Sequence, residues 1–244
     1  MIAALALGRK GSKGFPGKNT YKILGRPLAY YPMKAAKDTK EVDMVYLSTN
    51  DPELTEIAQD IGAEVIERPE QLCTSTALGE DAFVHGYKEI KRLNPGKEIE
   101  QIVLLFCNAP LVTPKIISEG IKALRENPHA DSAVSVSKYN MWSPLRARRI
   151  DTDGFLKPFV PLETFGDPKT LNCDRDSQGD VWFADMGVSI VRPACLERID
   201  EGLLPQKWMG RRIYPLRQSA GLDVDYEWQI PQAGFWLKKH LDQI

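Results

Sequence analysis

Histidine and cysteine are scarce in this 244-residue chain, which holds three of the first and four of the second. Cys73, Cys107, Cys173 and Cys195 are scattered, with no CxxC pair and no histidine at ligand spacing. Soft-metal centres and cysteine–histidine nucleophile chemistry are set aside on that ground, and the thiols are read as free in a reducing cytoplasm. Long apolar runs are missing too. The run 2–7 falls far short of the roughly 20 residues a membrane-spanning helix needs. It also lacks the basic stretch before it and the cleavage site after it that an export signal carries. Neither charge is in excess: 32 Lys plus Arg face 33 Asp plus Glu, a formal net charge of −1. That balance excludes a global basic field for nucleic acid and an acidic tail. A local basic patch survives it, so anionic small molecules stay in play. With 43% hydrophobic and 27% charged residues, the composition is that of an ordinary globular protein with material for a sizeable core.

What the chain does have is alternation. Residues 2–7 read as a strand buried on both faces, 27–37 as a helix after a Gly-Arg-Pro turn, and 44–48 as a second strand. Over 52–61, Leu54, Ile57, Ala58 and Ile61 share one helical face, with Asp51-Pro52 as the start and Gly62 as the stop. A strand at 63–66, a helix at 78–93, a strand at 101–106, a helix at 114–125 and a strand at 132–137 follow. This pattern predicts a mostly parallel sheet with helices on both faces. Ligands of such sheets bind beyond the carboxyl ends of the strands, here the loops 8–19, 48–52, 67–77 and 106–114. From 138 to 185 the pattern breaks into a stretch rich in Pro, Asp, Arg and aromatics. It is too long for a connection inside a compact domain and is read as an inserted arm. Alternation resumes with a strand at 186–191, a helix at 194–201, a strand at 212–215 and a closing helix at 226–239. The expectation is one α/β domain over 1–244 carrying one arm.

Three clusters bear chemistry. Directly after the first strand, residues 8–19 read GRKGSKGFPGKN. Four glycines allow backbone N–H groups close to an anion, and Arg9, Lys10, Lys13 and Lys18 add positive charge, which together suit a triphosphate. Glycines at 8, 11 and 14 do not make the dinucleotide fingerprint, and Gly17-Lys18-Asn19 is not a Walker loop, so a nicotinamide enzyme fails on spacing. The bland alternative is a solvated basic turn. The second cluster is Asp223-Val224-Asp225 before a helix. Alternate residues of an extended segment point the same way, and two carboxylates with phosphate oxygens and water are what Mg²⁺ prefers. A helix cap plus a surface acid is the competing account. Third, Arg146, Arg148 and Arg149 offer guanidinium forks for carboxylate or phosphate, unless Asp151 and Asp153 neutralise them as a solvated face.

On these residues the sequence resembles the acylneuraminate cytidylyltransferases, which include the CMP-sialic acid and CMP-Kdo synthetases. Members open with a strand and a loop A-R-x-x-S-K-G-x-P-x-K-N, and Arg9, Ser12, Lys13, Gly14, Pro16, Lys18 and Asn19 fall in register with it. The family's R-P-x-x-L-x-x-x-T-A is matched from Arg68 to Ala77, and its late D-x-D by Asp223 and Asp225. The resemblance runs over essentially the whole chain. It implies a Rossmann-like, mostly parallel mixed sheet flanked by helices, of the nucleotide-diphospho-sugar transferase type, acting on CTP. Arg9, Gly11, Ser12, Lys13 and Lys18 would hold the phosphates, and Asn19, Arg68 and Ala77 the cytosine or ribose. Asp223 and Asp225 would bind Mg²⁺, with Arg9, Lys18 and Asp225 the expected catalytic residues. A homodimer is implied, its arm reaching the partner's site. Arg146 matches a basic position that meets the acceptor's anionic group, and Arg175 lies where another family arginine does.

Departures gather on the acceptor side. The family's Q-P-T-S-P-L-R is Phe106-Cys107-Asn108-Ala109-Pro110-Leu111-Val112 here, and its F-R-P-N-G is Phe183-Ala184-Asp185-Met186-Gly187. The same reaction type is therefore expected, on an anionic sugar acid that need not be sialic acid itself. Asn108 joins Arg146 and Arg175 as an expected acceptor contact, with Asp81 and Asp185 as further candidates. A sugar 1-phosphate or phosphonate acceptor, or GTP as donor, stays open, as does a non-catalytic nucleotide-binding module. No nucleic-acid or membrane partner is expected.

Overall fold

The computed structural model describes residues 1–11, 14–177 and 179–240. Its strands are β1 (Ile2–Leu7), β2 (Lys22–Ile23), β3 (Arg26–Pro27), β4 (Met44–Thr49), β5 (Glu64–Glu67), β6 (Gln101–Phe106), β7 (Ser132–Lys138), β8 (Arg148–Ile150), β9 (Leu156–Pro158), β10 (Trp182–Val191) and β11 (Ile213–Gln218). Its helices are α1 (Tyr30–Asp38), α2 (Pro52–Ile61), α3 (Gly79–Leu93), α4 (Pro114–Glu126), α5 (Pro193–Glu197) and α6 (Ile230–Lys239).

Seven strands form the central sheet in the order β11-β7-β10-β6-β1-β4-β5. All neighbours are parallel except β10, which runs antiparallel to both β6 and β7. The sheet is thus mostly parallel and mixed, as the family resemblance implies. β1 is buried throughout. Its Ile2, Ala4 and Ala6 join Met33 of α1, Leu54 and Ala58 of α2, and Ile117, Ile121 and Leu124 of α4 on one face. Ala3, Leu5 and Leu7 meet Phe83, Tyr87 and Ile90 of α3 on the other. Period two on the strand against a helical stripe on each side makes the three layers.

The chain runs from β1 outward to β4 and β5, then crosses back through α3 to β6 on the other side of β1. The strand order therefore reverses between β1 and β6, the place where open α/β sheets leave a crevice for ligands.

Five boundaries differ from the sequence expectation by three residues or more. β11 runs on to Gln218, and α6 starts only at Ile230, after a 3₁₀ turn over Glu227–Gln229. α1 starts at Tyr30 rather than 27, because Pro27 is held in a two-stranded hairpin opposite Lys22. β10 begins at Trp182, four residues before the expected strand, so the sheet takes up the last residues of the irregular stretch. α5 stops at Glu197 and gives way to a tighter turn over Ile199–Glu201. Among the described residues between β7 and β10, the arm contains the hairpin β8–β9 and four short 3₁₀ turns. It leaves Ile150, Phe155, Leu156 and Phe159 exposed. Among the described residues no helix is long and apolar enough to cross a membrane.

Candidate active site

A cavity opens at the β1/β6 crevice, lined by Gly8, Arg9, Lys18, Asn19, Arg68 and Asn108 on its polar side and by Leu7, Leu72, Ala77, Ala82 and Phe106 on its apolar side. Each polar residue comes from a strand's carboxyl end or the loop just after it. Arg9 donates to the Gly11 carbonyl at 2.9 Å and to the Cys73 carbonyl at 3.4 Å, tying the first loop to the one after β5. Ala77, at the far end of that second loop, is pinned through its N–H to Thr74 Oγ1 at 3.1 Å. Asn19 follows Lys18 in a 3₁₀ turn and receives the Ala29 N–H on its carbonyl.

Arg68 is buried, with Nε on Ser48 Oγ at 3.1 Å and a terminal nitrogen on the Ser48 carbonyl at 2.5 Å. Burial holds it below the usual guanidinium range, and Arg9 pushes the same way. Among the described residues no carboxylate forms an ion pair with it, so its charge is offered to the cavity. An uncompensated buried cation is costly unless an anion visits it.

The glycine-lysine loop and the late aspartate pair meet. Lys18 Nζ forms an ion pair with Asp225 Oδ1. Asn108 joins them: its carbonyl accepts the Val224 N–H at 2.8 Å, and its Nδ2 donates to the Val224 carbonyl at 3.1 Å. The same Nδ2 lies 3.5 Å from Asp225 Oδ1. Gly14 passes so near that a Cβ there would stand 2.8 Å from the Asp225 carbonyl oxygen, which only glycine tolerates. Packing enforces this approach. Val224, fully buried between the two aspartates, shares a cluster with Ile23, Leu28, Tyr31 and Ala233, and Phe15 of the basic loop packs against it.

The two carboxylates differ in setting. Asp225 is exposed, whereas burial pushes the Asp223 carboxyl up, followed by repulsion from Asp225, with Asp185 adding to it. Such a field is relieved by a cation. Among the described residues no group of three or more His, Cys, Asp or Glu side chains clusters as a metal cage. Two carboxylate oxygens beside a phosphate-sized basic cavity are nonetheless the donor set Mg²⁺ uses when phosphates and waters complete its shell. Asp223 and Asp225 fit that ion.

Other expected residues stand elsewhere. Ser12 and Lys13 lie outside the described residues. Arg146 donates to the Cys173 carbonyl at 2.5 Å, and Arg175 pairs with Asp176 at 3.1 Å. Neither lines the cavity. Arg148 is spent on the carbonyls of Leu145 and Ala147, while Asp151 is taken by Lys157. Asp81, on the first turn of α3, is exposed and outside the lining.

Two features escaped the sequence reading. One is a network around Asp185, a buried carboxylate in β10 that accepts from Ser135, Ser137, Gln218 and the Gly187 N–H. Its trace in sequence is Ser135-Val136-Ser137, two polar residues on one face of a strand that is otherwise core. The other is the aromatic wall of Phe106, Phe83 and Trp208, in edge contact at 5.3–6.1 Å, which is scattered over three distant segments.

Comparison with known proteins agrees with this geometry. A family model described as cytidylyltransferase matches residues 3–151, more than half of the chain. The N-acylneuraminate cytidylyltransferase of Oncorhynchus mykiss is 28% identical over 235 residues, 95% of this chain and 49% of that protein. The chain spans about half the length of that relative and of its counterpart from Danio rerio, of which it covers 50%. The CMP-N,N'-diacetyllegionaminic acid synthase of Legionella pneumophila is 29% identical over 236 residues, covering 95% of this chain and 94% of that one. Among solved structures, a CMP:2-keto-3-deoxy-manno-octonic acid synthetase complexed with CTP superposes with a TM-score of 0.68 over 98% of this chain and 99% of that chain, at 16% identity. The 4-diphosphocytidyl-2C-methyl-D-erythritol synthase of Anaerococcus prevotii gives 0.62 at 13% identity, over 97% and 96%. At such identities these two establish the shared fold.

Proposed function

This chain belongs to the cytidylyltransferase family, and we propose that it transfers CMP from CTP to a hydroxyl of an anionic sugar acid, a nonulosonic acid or a Kdo-like acid. The observation that carries the reading is the meeting of Lys18 and Asp225 at the mouth of a cavity floored by Arg68. A polyphosphate needs cations on its oxygens and a binding site for its metal, and both arrive there from opposite ends of the chain.

Arg9 and Lys18 hold the phosphates, with Gly11 offering backbone and Ser12 and Lys13 completing the loop. Arg68, Asn19 and Ala77 receive the nucleoside. Asp223 and Asp225 hold Mg²⁺, which supplies charge neutralisation on the phosphate oxygens. The acceptor oxygen bonds to the α-phosphorus while the bond to the bridging oxygen breaks in line; pyrophosphate leaves and the hydroxyl proton passes to solvent. The protein's part is positioning and electrostatic stabilisation. Lys18, released from Asp225, is free to follow charge onto the leaving group.

Asn108 holds the aspartate segment from below and faces the same cavity, which suits it to meet the acceptor as well. Arg146 and Arg175 lie in the arm, outside the cavity; on this reading they meet an acceptor's carboxylate in the site of a second copy. The apolar residues that the arm leaves exposed favour a homodimer. All four cysteines are free thiols, in keeping with a cytoplasmic enzyme.

The test is pyrophosphate release with each nucleoside triphosphate against N-acylneuraminate, N,N'-diacetyllegionaminic acid, Kdo and a sugar 1-phosphate. Turnover with CTP and a sugar acid is expected. Turnover with GTP alone overturns the donor, and turnover with only the sugar phosphate overturns the acceptor class.

A further inference from the structure

Three cations line the cavity of the candidate active site, and their bonding separates them. Arg9 is tied to the Gly11 and Cys73 carbonyls, and Arg68 to Ser48. Neither forms an ion pair among the described residues, so both stand ready for an anion. Lys18 is different. Its backbone is fastened on both sides: its N–H donates to the Phe15 carbonyl at 3.3 Å, and its carbonyl accepts the Tyr21 N–H at 3.2 Å. Its ammonium has one partner among the described residues, Asp225 Oδ1. The head can thus leave Asp225 by turning about side-chain bonds, a fast change that moves no backbone.

Asp225 has reason to hold it. Asp223 and Asp225 stand two residues apart with like charge. The Asp223 carboxyl is pushed up first by burial and then by Asp225, while Lys18 draws it down. The remaining neighbours give no such help: Asp185 adds repulsion, and Asn108, 3.5 Å from Asp225 Oδ1, is a neutral donor. Among the described residues Lys18 is the sole cation paired with either carboxylate. It therefore sits on the oxygen that a metal would need. A divalent ion arriving alone must evict an ammonium or share an oxygen with it, and charge opposes both.

A triphosphate changes that balance. Its oxygens, drawn in by Arg9 and Arg68, give the Lys18 ammonium a better partner on the cavity side. Once Lys18 turns to them, the two aspartates are left without a cation, beside a phosphate ready to complete a metal's shell. We propose that Lys18 stands in for the metal in the ligand-free enzyme, and that Asp223 and Asp225 accept a divalent ion only together with a triphosphate, which draws Lys18 away. This rests on the function proposed above, in which those aspartates hold Mg²⁺. The coupling is reciprocal, so the ion and the nucleotide each tighten the other. It also has an unusual sign: the lysine that helps the nucleotide hinders the metal.

The experiment measures Mn²⁺ held by the full chain, through water-proton relaxation, without nucleotide and with a CTP analogue whose α,β-bridge is a methylene group. Binding at this site is the part lost in Asp225→Asn. Lys18→Met and Lys18→Gln should each bind nucleotide-free Mn²⁺ at least about tenfold tighter than the wild type, a typical coupling between two ligands. A variant that merely loosened the fold would not gain affinity. Lys18→Arg keeps the charge and should keep the weak binding. The analogue should tighten Mn²⁺ by at least about tenfold in the wild type and by less in the neutral variants. Those variants should also bind the analogue more weakly in metal-free buffer. Equal Mn²⁺ affinity of the wild type and both neutral variants without nucleotide overturns the inference, while analogue-dependent Mn²⁺ binding leaves the proposed function standing. If the wild type holds no Mn²⁺ at Asp225 even with the analogue, the metal role falls, and the function and this inference fall with it.

Discussion

Gly221 stands against Asp185 so closely that a Cβ at 221 would lie 2.0 Å from the Asp185 Cγ. Its N–H donates to Ser137 Oγ at 2.8 Å, and its carbonyl accepts the Tyr139 hydroxyl at 2.6 Å. The segment bearing Asp223 and Asp225 is therefore fastened at Gly221 to the sheet and at Val224 to Asn108. Gly221→Ala forces the backbone off Asp185. A cost of about 1–3 kcal/mol in stability is expected from overpacking, with kcat falling by more than tenfold as the aspartates shift. Thermal melts and steady-state kinetics check it, and a variant with wild-type kcat would show that the clamp does not position the pair.

Ser137 serves two partners at once, the Gly221 N–H and the Asp185 carboxylate at 2.6 Å. Ser137→Ala leaves a buried donor and a buried acceptor short of a partner, which costs about 1–3 kcal/mol. Ser137→Thr keeps the hydroxyl and should recover turnover in part. Urea midpoints of the two variants, measured beside kcat, separate a lost bond from a lost shape.

Lys18 and Asp225 pair with side-chain exposures of 13% and 54%. A partly exposed pair contributes little to stability, about 1 kcal/mol or less, so breaking it should leave the fold in place. Asp225→Ala is expected to leave the melting curve nearly in place and to abolish turnover. Lys18→Met should weaken CTP binding and slow turnover by at least about a hundredfold, in the range of losing one charge-stabilising donor. Retained turnover in Asp225→Ala would remove the metal role assigned to it.

How much of this could be read beforehand depends on how local the cause is. α2 was legible to the residue, since Asp51, Pro52 and Gly62 encode both ends within the segment: Asp51 accepts the Glu53 N–H at 3.0 Å and Gly62 adopts φ 74°. β6 was equally plain as an apolar run between turns. The start of α1 was not, because a hairpin partner at Lys22 holds Pro27. Nor was the direction of β10, since periodicity reports which face is buried and says nothing of orientation. Lys18 and Asp225 are separated by 207 residues; their meeting followed from the family resemblance and from no property of either segment. The hydrogen-bond network that holds Asp185 is hidden from the sequence for a related reason. Its burial is made by Ser135 and Ser137 on another strand, at a register shift between Ala184 and Ser189 that no local pattern announces.

Cys107 and Cys195 give the fold an alkaline limit. Burial pushes the Cys107 thiol up to about 12 and the Cys195 thiol up to about 11, against an ordinary value of about 8.5. Below pH 8.5 both folded and unfolded chains keep these protons, and the thiols favour neither state. Above it the unfolded chain ionises while the folded one does not, so stability falls with rising pH, by about 1.4 kcal/mol per unit for each thiol. The loss runs until the folded thiols themselves titrate near 11 and 12. Buried tyrosines such as Tyr31 and Tyr46, also pushed up by burial, add to it only above pH 10. Urea midpoints at pH 8, 9 and 10 should therefore decline, and Cys107→Ala should flatten the decline between 9 and 10 by the share of one proton. Cys173, which is exposed, should take an alkylating reagent at neutral pH while Cys107 stays unmodified. Early labelling of Cys107 in the folded protein, or an unchanged alkaline slope in Cys107→Ala, would contradict the burial that closes the loop after β6.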